Sequence, residues 1–376
     1  MLNRRLPNLN LLLITTFLVG IGLIMVNSVI QPRMEGKTFF LKQLFGVILG
    51  YAGMYLAYKI DLYFLRRITR YLLMFSVILL ILVLIIGVEV KGSKRFLSLG
   101  PLLFQPSEFM KLTLVLFWAN LLYQYKILKR KNEFGRIILT IWMFIISCIS
   151  FYLIEKEPDL GTVLVLGGSM VGMLFLGGIK KRYVVSVMLI GVLVVVALVF
   201  LRASPATDYR KGRIAAWRNP WMYASREGYQ TVEAILALGS GKIKGIGLDE
   251  SRQKLFYLPE AHTDMIFAII GEEFGFLGCL IVLSSFIYFT YCGFSIASKC
   301  YDFYSMLLAA GLTGIISLQA LLNIGVAIGA LPVTGVTLPF ISYGNTSLVV
   351  SLTNVGILLN ISRRFAISTE EGVLEI

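Results

Sequence analysis

The chain contains a series of apolar stretches, each long enough to cross a lipid bilayer as one helix. About 20 mainly apolar residues cover the hydrocarbon core of a membrane, and repeated stretches of this length are typical of a polytopic helical membrane protein. We therefore predict an all-α fold with about ten transmembrane helices. The predicted spans lie near residues 10–29, 40–58, 71–88, 107–124, 137–154, 162–179, 183–201, 273–297, 305–327 and 346–361.

Composition agrees with this class and argues against a soluble protein. Hydrophobic residues make up 57% of the 376 residues and charged residues only 15%, whereas a soluble domain carries about a quarter charged residues. The even spread of the apolar stretches predicts a single integral membrane domain over residues 1–376. Basic cytoplasmic loops account for the net charge of +14, so we do not infer a nucleic-acid partner.

Lysine and arginine residues set the predicted orientation. They are concentrated in every second connection, beginning with the N-terminal segment and including residues 126–136 and 180–182. Because basic residues favour the cytoplasmic side, both termini are predicted to lie inside. Residues 202–262 then form a large extracytoplasmic loop between spans seven and eight, and a connection of this length is more often functional than idle. Its stretch GYQTVEAILAL predicts a short amphipathic helix closed by Gly239.

The first polar cluster on the predicted outer side is VKGSKRFLSLGPLLFQPSEFMK, residues 90–111. Ser107 is predicted to cap the fourth span, which places Glu108 and Lys111 three residues apart on one helix face. The pair could be only a local salt bridge. It could also mark a site, because ionisable groups at membrane depth are costly and tend to be functional.

Further charged residues accompany this cluster. Lys91, Lys94 and Arg95 lie just upstream of the pair, on the side that is normally poor in basic residues, which favours an anion site. In the second cluster, EKEPDLGT, Asp159 stands where it could cap the sixth span. Capping alone would explain Asp159 about as well as a role in a site.

The third cluster, residues 257–278, holds the only histidine of the chain. Asp264 stands just before an apolar run, where burial would raise its pKa and suit it to proton transfer; it could equally be an ordinary N-cap. His262, with no second histidine, is expected to make a structural hydrogen bond rather than bind a metal. Glu272 and Glu273, at the predicted start of span eight, could face the bundle or stabilise a helix N-terminus.

The fourth cluster is LPVTGVTLPFISYGNTSL, residues 331–348, whose prolines and glycines preclude regular helix throughout. Irregular backbone at membrane depth survives only when it is buried in protein or lines a wet cavity. The residues by themselves leave two classes open. One is an enzyme acting on an anionic lipid at the outer surface, and the other is a transporter.

Taken together, these stretches resemble the SEDS family (shape, elongation, division and sporulation) of FtsW/RodA type. The resemblance covers the chain from span three to span ten, in order and spacing. Its motifs are GSKRFLSLGPLLFQPSEFMKL, EPDLGT, GYQTVEAILALGSGKIKGIGL, QKLFYLPEAHTDMIFAIIGEEFGFLG and PVTGVTLPFISYG. The combination of LPEAHTD with IGEE is closer to the FtsW branch, including its sporulation relative, than to the RodA branch.

The resemblance implies a peptidoglycan glycosyltransferase that polymerises lipid II at the outer face of the bacterial cytoplasmic membrane. An acceptor 4-hydroxyl attacks the anomeric carbon of the donor, and undecaprenyl pyrophosphate leaves. The implied partner is a class B penicillin-binding protein, a transpeptidase. A lipid II flippase and a non-catalytic scaffold for that transpeptidase are the alternatives; the absence of a visible inverted repeat mildly disfavours a transporter.

By the same resemblance, Asp264 is the essential carboxylate and the expected general base. The candidate substrate-binding residues are Arg95, Glu108, Lys111, Asp159, His262 and Ser342. Arg95 and Lys111 are expected near the pyrophosphate, with Glu108 positioning Lys111. A divalent cation, Mg²⁺ or Mn²⁺, could share the pyrophosphate charge, although the sequence contains no dedicated metal cage.

The sequence departs from the family pattern at a few positions. Phe96 follows Arg95 where tryptophan is commoner, and Glu157 replaces the glutamine of QPDLGT. The family's ISYGGSS has Asn345 and Thr346 at its second glycine and first serine, and asparagine still tolerates a left-handed backbone. These changes affect the expected substrate contacts rather than the family.

Overall fold

The computed structural model describes residues 8–31, 36–90, 93–100, 102–128, 133–200, 205–255 and 257–371, and within them the chain forms twelve α-helices and three short β-strands. The helices are α1 (Leu9–Ile30), α2 (Gly36–Lys59), α3 (Leu62–Ile86), α4 (Pro106–Leu128), α5 (Glu133–Lys156), α6 (Leu160–Leu176), α7 (Lys181–Phe200), α8 (Pro205–Arg218), α9 (Tyr229–Ser240), α10 (Ile266–Ser298), α11 (Phe303–Ala327) and α12 (Asn345–Glu371). The strands are β1 (Val88–Val90), β2 (Ser93–Leu99) and β3 (Leu102–Phe104).

Apolar helices dominate the fold, as predicted. In the described part of the chain, seven helices are long and apolar enough to cross a membrane, namely α1, α2, α3, α5, α10, α11 and α12. The helices α4, α6 and α7 coincide with the remaining three predicted stretches. The chain is therefore a multi-pass helical membrane protein. The helices α11 and α12 form its interior, since 67% and 72% of their apolar windows are buried, against 22% for α5.

Two of the predicted helix starts were wrong. Helix α3 begins at Leu62 rather than near residue 71, because Asp61 accepts a hydrogen bond from the backbone N–H of Tyr63 and caps it. The arginines of its first turns therefore belong to the helix and not to a loop. Helix α10 begins at Ile266 rather than near residue 273. In both cases charged residues near the start of the helix lower the local hydropathy, so the apolar stretch begins several residues after the helix does.

A small antiparallel sheet, absent from the predicted all-α fold, joins α3 to α4. Its strand order is β1-β2-β3, and Phe96 of β2 lies opposite Val88 of β1. Arg95 lies on the central strand, β2, and β3 leads into α4. That helix begins at Pro106, so the prediction of Ser107 as its N-cap was wrong: Ser107 lies in the first turn and accepts a hydrogen bond from Gln105 (3.1 Å).

The long connection between α7 and α10 is more ordered than predicted. It contains α8, a 3-10 turn over Pro220–Tyr223 and α9; residues 202–204 and 256 lie outside the described residues. Helix α8 is rich in charged residues, which is why hydropathy did not reveal it. The predicted amphipathic helix is α9, but it does not close at Gly239 as expected: Gly239 lies inside the helix and Gly241 is its C-cap.

The glycine-rich part of this connection is fastened to α10. At Gly275 the helix is interrupted (φ 69°, ψ −164°), and there Phe276 N–H donates to the carbonyl of Lys242 (2.9 Å). A methyl group on Gly245 would lie 2.1 Å from the carbonyl oxygen of Glu273, so only glycine allows this approach of the two backbones. The loop is thereby fixed to α10 about two to three turns beyond the first residue of that helix, Ile266.

The two glutamates of α10 face the protein interior, which settles the alternative left open by the sequence. Glu273 accepts hydrogen bonds from Ser28 (2.6 Å) and from Lys254 (3.0 Å), and all three residues are buried. Glu272 accepts a hydrogen bond from the hydroxyl of Ser251. Both carboxylates therefore anchor the long connection to the bundle rather than stabilising a helix N-terminus.

Candidate functional site

Asp264 lies at the mouth of the bundle, directly before α10. The N-cap of that helix is Met265, which makes no side-chain capping bond, so Asp264 is not an ordinary helix cap. Its backbone carbonyl accepts a hydrogen bond from the amide of Asn323 (2.8 Å), and the same amide donates to the carbonyl of Val336 (2.7 Å). Asn323 thus holds the half-buried Asp264 between α11 and the connection that follows it.

That connection, residues 328–344, is irregular throughout. Irregular backbone was predicted over 331–348, and the prediction was wrong for the last four residues, because α12 begins at Asn345. Within the connection, Gly335 has a left-handed backbone (φ 78°). A methyl group on Gly335 would lie 3.6 Å from Asp264 Oδ2 and 3.8 Å from Arg95 Nη1. The carboxylate and the guanidinium therefore reach the same small space, which glycine keeps open. A base and a cation separated by such a space suit a reaction that moves a proton and releases an anion.

Arg95 reaches this space because two carbonyl groups hold its side chain. Its Nε donates to the carbonyl of Glu157 (2.6 Å), and its Nη2 donates to the carbonyl of Pro158. Both acceptors are neutral, so these contacts orient the guanidinium without cancelling its charge. Lys94 is exposed on β2, and Lys91, which was included in the predicted anion site, lies outside the described residues.

Glu157, between α5 and α6, is a carboxyl group that the sequence analysis did not select. It is completely buried, and neither carboxylate oxygen has a hydrogen-bond partner among the described residues. Burial, followed by the nearby carboxylate of Asp159, raises the pKa of Glu157 from 4.5 to about 9, although Arg95 acts in the opposite direction. Glu157 is therefore neutral near pH 7, and the charge of Arg95 remains available.

This pKa predicts a specific dependence of stability on pH. Between the unfolded value of 4.5 and about 9, the native protein holds a proton that the unfolded chain releases. Raising the pH through this window therefore lowers the free energy of unfolding, by up to about 1.4 kcal/mol per pH unit. Glu157→Gln removes the titrating group and with it this loss of stability. The melting temperature of the variant should exceed that of the wild type, and the difference should grow from pH 5 to pH 8.5.

The matched control is Glu89→Gln in β1, where the side chain is exposed. It should leave the pH dependence of the melting temperature as in the wild type. Parallel curves for the wild type and Glu157→Gln would mean that Glu157 is ionised in the native protein.

Asp159 caps α6, so that part of its prediction is confirmed. Its Oδ1 accepts from the backbone N–H of Thr162 (3.1 Å), and its Oδ2 accepts from the Thr162 hydroxyl (2.8 Å). Gln105, just before α4, donates to the same carboxylate at 3.5 Å. A direct contact of Asp159 with substrate stays a prediction.

The predicted pair on α4 is in contact and deeply buried. Lys111 Nζ donates to Glu108 Oε1 (2.8 Å) and to Gln319 Oε1 of α11 (2.6 Å). Gln319 in turn donates to the carbonyl of Thr337 (3.1 Å), in the irregular connection that carries Gly335. Only 3% of the Lys111 side chain is exposed. Lys111 therefore supports that connection through Gln319 rather than contacting a ligand directly.

His262 and Ser342 also join the two segments that form the site. The carbonyl of His262 accepts from the N–H of Tyr343 (2.8 Å), and its ring packs edge-on against Phe39. The Ser342 hydroxyl donates to the carbonyl of Thr263 and accepts from the N–H of Leu338 (2.8 Å). These bonds lock residues 262–264 to the irregular connection, and a substrate contact for either side chain stays a prediction.

Two residues of the site, Gln319 and Asn323, were missed by the sequence analysis. They stand four residues apart on α11, and both are buried. Two amides on one face of a membrane helix were a usable signal, because such groups are costly in lipid unless they are partnered. Among the described residues, no group of three or more His, Cys, Asp or Glu side chains is arranged to hold a metal ion.

Comparison with known proteins agrees with this architecture. The family model FTSW_RODA_SPOVE, described as cell cycle protein, matches residues 9–366. The chain is 39% identical to stage V sporulation protein E of Bacillus subtilis, over 95% of this chain and 97% of that protein. It is 38% identical to the probable peptidoglycan glycosyltransferase FtsW of Escherichia coli O6:H1, over 93% of this chain and 84% of that protein.

Solved structures agree with the fold. A chain from a structure on the coordination of polymerization and crosslinking by a peptidoglycan synthase complex superposes with a TM-score of 0.79, at 26% identity, over 96% of this chain and 98% of that one. Thermus thermophilus RodA superposes with a TM-score of 0.70 at 24% identity, over 96% and 98%. With a family match along nearly its whole length and relatives at this level of identity, the chain belongs to the FtsW/RodA/SpoVE family.

Proposed function

We propose that this peptidoglycan glycosyltransferase of the FtsW/RodA/SpoVE family polymerises lipid II at the outer face of the bacterial cytoplasmic membrane and releases undecaprenyl pyrophosphate. One observation carries the proposal. The Asp264 carboxylate and the Arg95 guanidinium reach the same open space above Gly335, at one end of a bundle of apolar helices. The lipid tail would stay among the helices while the sugar reacts at their end.

In this mechanism Asp264 removes the proton from the acceptor 4-hydroxyl as its oxygen attacks the anomeric carbon of the donor. The bond from that carbon to the pyrophosphate oxygen breaks, and the pyrophosphate leaves with the electron pair. Arg95 stabilises the charge that develops on the leaving group. Because Lys111 is buried against Glu108 and Gln319, we assign it to positioning of the 328–344 connection rather than to direct contact with the pyrophosphate. Mg²⁺ or Mn²⁺ bound to the pyrophosphate would share its negative charge, although the described residues contain no group of three or more His, Cys, Asp or Glu side chains that could hold the ion.

The proposed topology has ten spans, α1 to α7 and α10 to α12, with both termini inside. The C-terminal end of α3 and the N-terminal ends of α4, α6 and α10 carry the site. The opposite end carries Arg66, Arg67 and Arg70 of α3, with Lys126 of α4. Since basic residues favour the cytoplasm, this distribution supports a site that faces outward.

The partner we propose is a class B penicillin-binding protein, which would cross-link the glycan that this chain makes. The support is the similarity to a chain of a peptidoglycan synthase complex. A purified pair should convert lipid II in detergent into glycan strands that are resolved on a gel. A flippase or a scaffold would give no polymer, so an inactive preparation of folded wild-type complex would overturn the proposal.

A further inference from the structure

A cavity of about 500 Å³ opens between α3 and α4, at the end of these helices remote from Asp264. We call it the arginine groove. The residues of interest in its lining are Arg66, Arg67 and Arg70 from α3 and Phe117, Asn120 and Leu121 from α4. With Tyr63 and Gln124, the lining positions of each helix follow the pattern i, i+3, i+4, i+7, so each helix contributes one continuous face.

The groove is strongly cationic. Three guanidinium groups stand within five residues of one helix, and its described lining contains no Asp or Glu. Arg66 is held by neutral groups: its Nε donates to Asn120 Oδ1 (2.9 Å), and its guanidinium lies 3.9 Å from the ring centre of Tyr123. Arg67 and Arg70 are exposed. The nearby Asp61 is engaged by Arg364 (2.6 Å), outside the groove lining. Arg66 is thus preorganised, and the described lining residues include no acidic group that would neutralise the three arginine charges.

The position of the groove determines which anion can reach it. It lies in the first turns of α3, where the helix enters the membrane, and Phe117 and Leu121 form an apolar floor. Beyond the arginines the same helix exposes Met74, Phe75 and Ile78 to lipid. A ligand with a phosphate next to a hydrocarbon chain would contact both the arginines and the apolar side chains beyond them. A free anion would contact only the arginines.

We propose that the arginine groove binds the phosphate of an anionic phospholipid from the membrane leaflet opposite the Asp264 site, with an acyl chain lying along α3 and α4. Arginine pairs with phosphate through two parallel hydrogen bonds, and basic pockets between transmembrane helices on the cytoplasmic side are suited to anionic headgroups. Helix α4 also carries Glu108, about 18 Å along its axis from Asn120. A lipid bound in the groove would therefore stabilise α4 at the end opposite the one that supports the Asp264 site.

The test uses the purified full-length protein in micelles of a zwitterionic phosphocholine detergent, titrated with phosphatidylglycerol. The melting temperature of the wild type should rise with the fraction of anionic lipid. In Arg67→Gln/Arg70→Gln, the lipid concentration for the half-maximal rise should increase on the order of 10- to 30-fold, since each basic group near the surface contributes about 1 kcal/mol. The control Lys181→Gln/Arg182→Gln removes two exposed cations from the start of α7, outside the groove, and should behave as the wild type.

Two outcomes would overturn the proposal. Equal losses in the groove and control variants would indicate general charge attraction, and equal protection by inorganic phosphate at matched ionic strength would indicate a free-anion site. Native mass spectrometry of the wild type offers a second measurement that needs no variant. One retained anionic phospholipid is expected, and its absence would count against the site.

Discussion

Asp264→Asn is expected to produce a folded protein that makes essentially no glycan. Loss of a general base costs on the order of 10²–10⁴-fold in rate. Asparagine keeps the shape of the side chain, and the contact that fixes this residue runs through its backbone carbonyl to Asn323, which the substitution leaves in place. Polymerisation of lipid II by the purified variant should therefore fall by that factor. Its melting temperature and its binding to the transpeptidase should change little.

The structure provides a matched control for this substitution. Asp302 is a true N-cap of α11, accepting hydrogen bonds from the backbone N–H groups of Tyr304 and Ser305. Asparagine caps helices almost as well as aspartate, so Asp302→Asn should retain both stability and activity. Near-normal polymerisation by Asp264→Asn would remove this carboxylate from the mechanism and favour the flippase alternative.

The parts of the fold set by local sequence were predictable. Apolar stretches located the membrane helices, capping was one of the two roles expected for Asp159, and the i,i+3 spacing predicted the contact of Glu108 with Lys111. Prolines and glycines likewise identified the irregular connection before α12. In each case the physical cause lies within a few residues along the chain.

The rest of the site depends on contacts between distant segments. Arg95 is oriented by the carbonyl groups of Glu157 and Pro158, more than 60 residues away, and nothing near Arg95 in the sequence indicates this. The burial of Glu157, and hence its raised pKa, follows from how α5 and α6 pack against neighbouring segments. Hydropathy also failed where charged residues belong to a helix, as at the start of α3 and in α8.

Glu108 and Lys111 are expected to be strongly coupled. Both are buried, so removing one leaves an uncompensated charge in the protein interior, which typically costs about 3–5 kcal/mol. Replacing both, as in Glu108→Gln/Lys111→Met, removes the pair together. The double variant should therefore lose less stability than the two single variants combined, by on the order of 1–3 kcal/mol. Melting temperatures of the four proteins in one detergent measure this difference.

The same cycle on polymerase activity tests whether the pair acts through the 328–344 connection. Lys111 is linked to Thr337 through Gln319, so each single variant should lose activity and the double variant should lose little more. The exposed pair Arg364–Asp61, with side chains 40% and 59% exposed, is the control. Because solvent screens such a pair, its cycle should be nearly additive. If the activity losses at Glu108 and Lys111 were also additive, like those of the control pair, the two residues would act separately despite their burial.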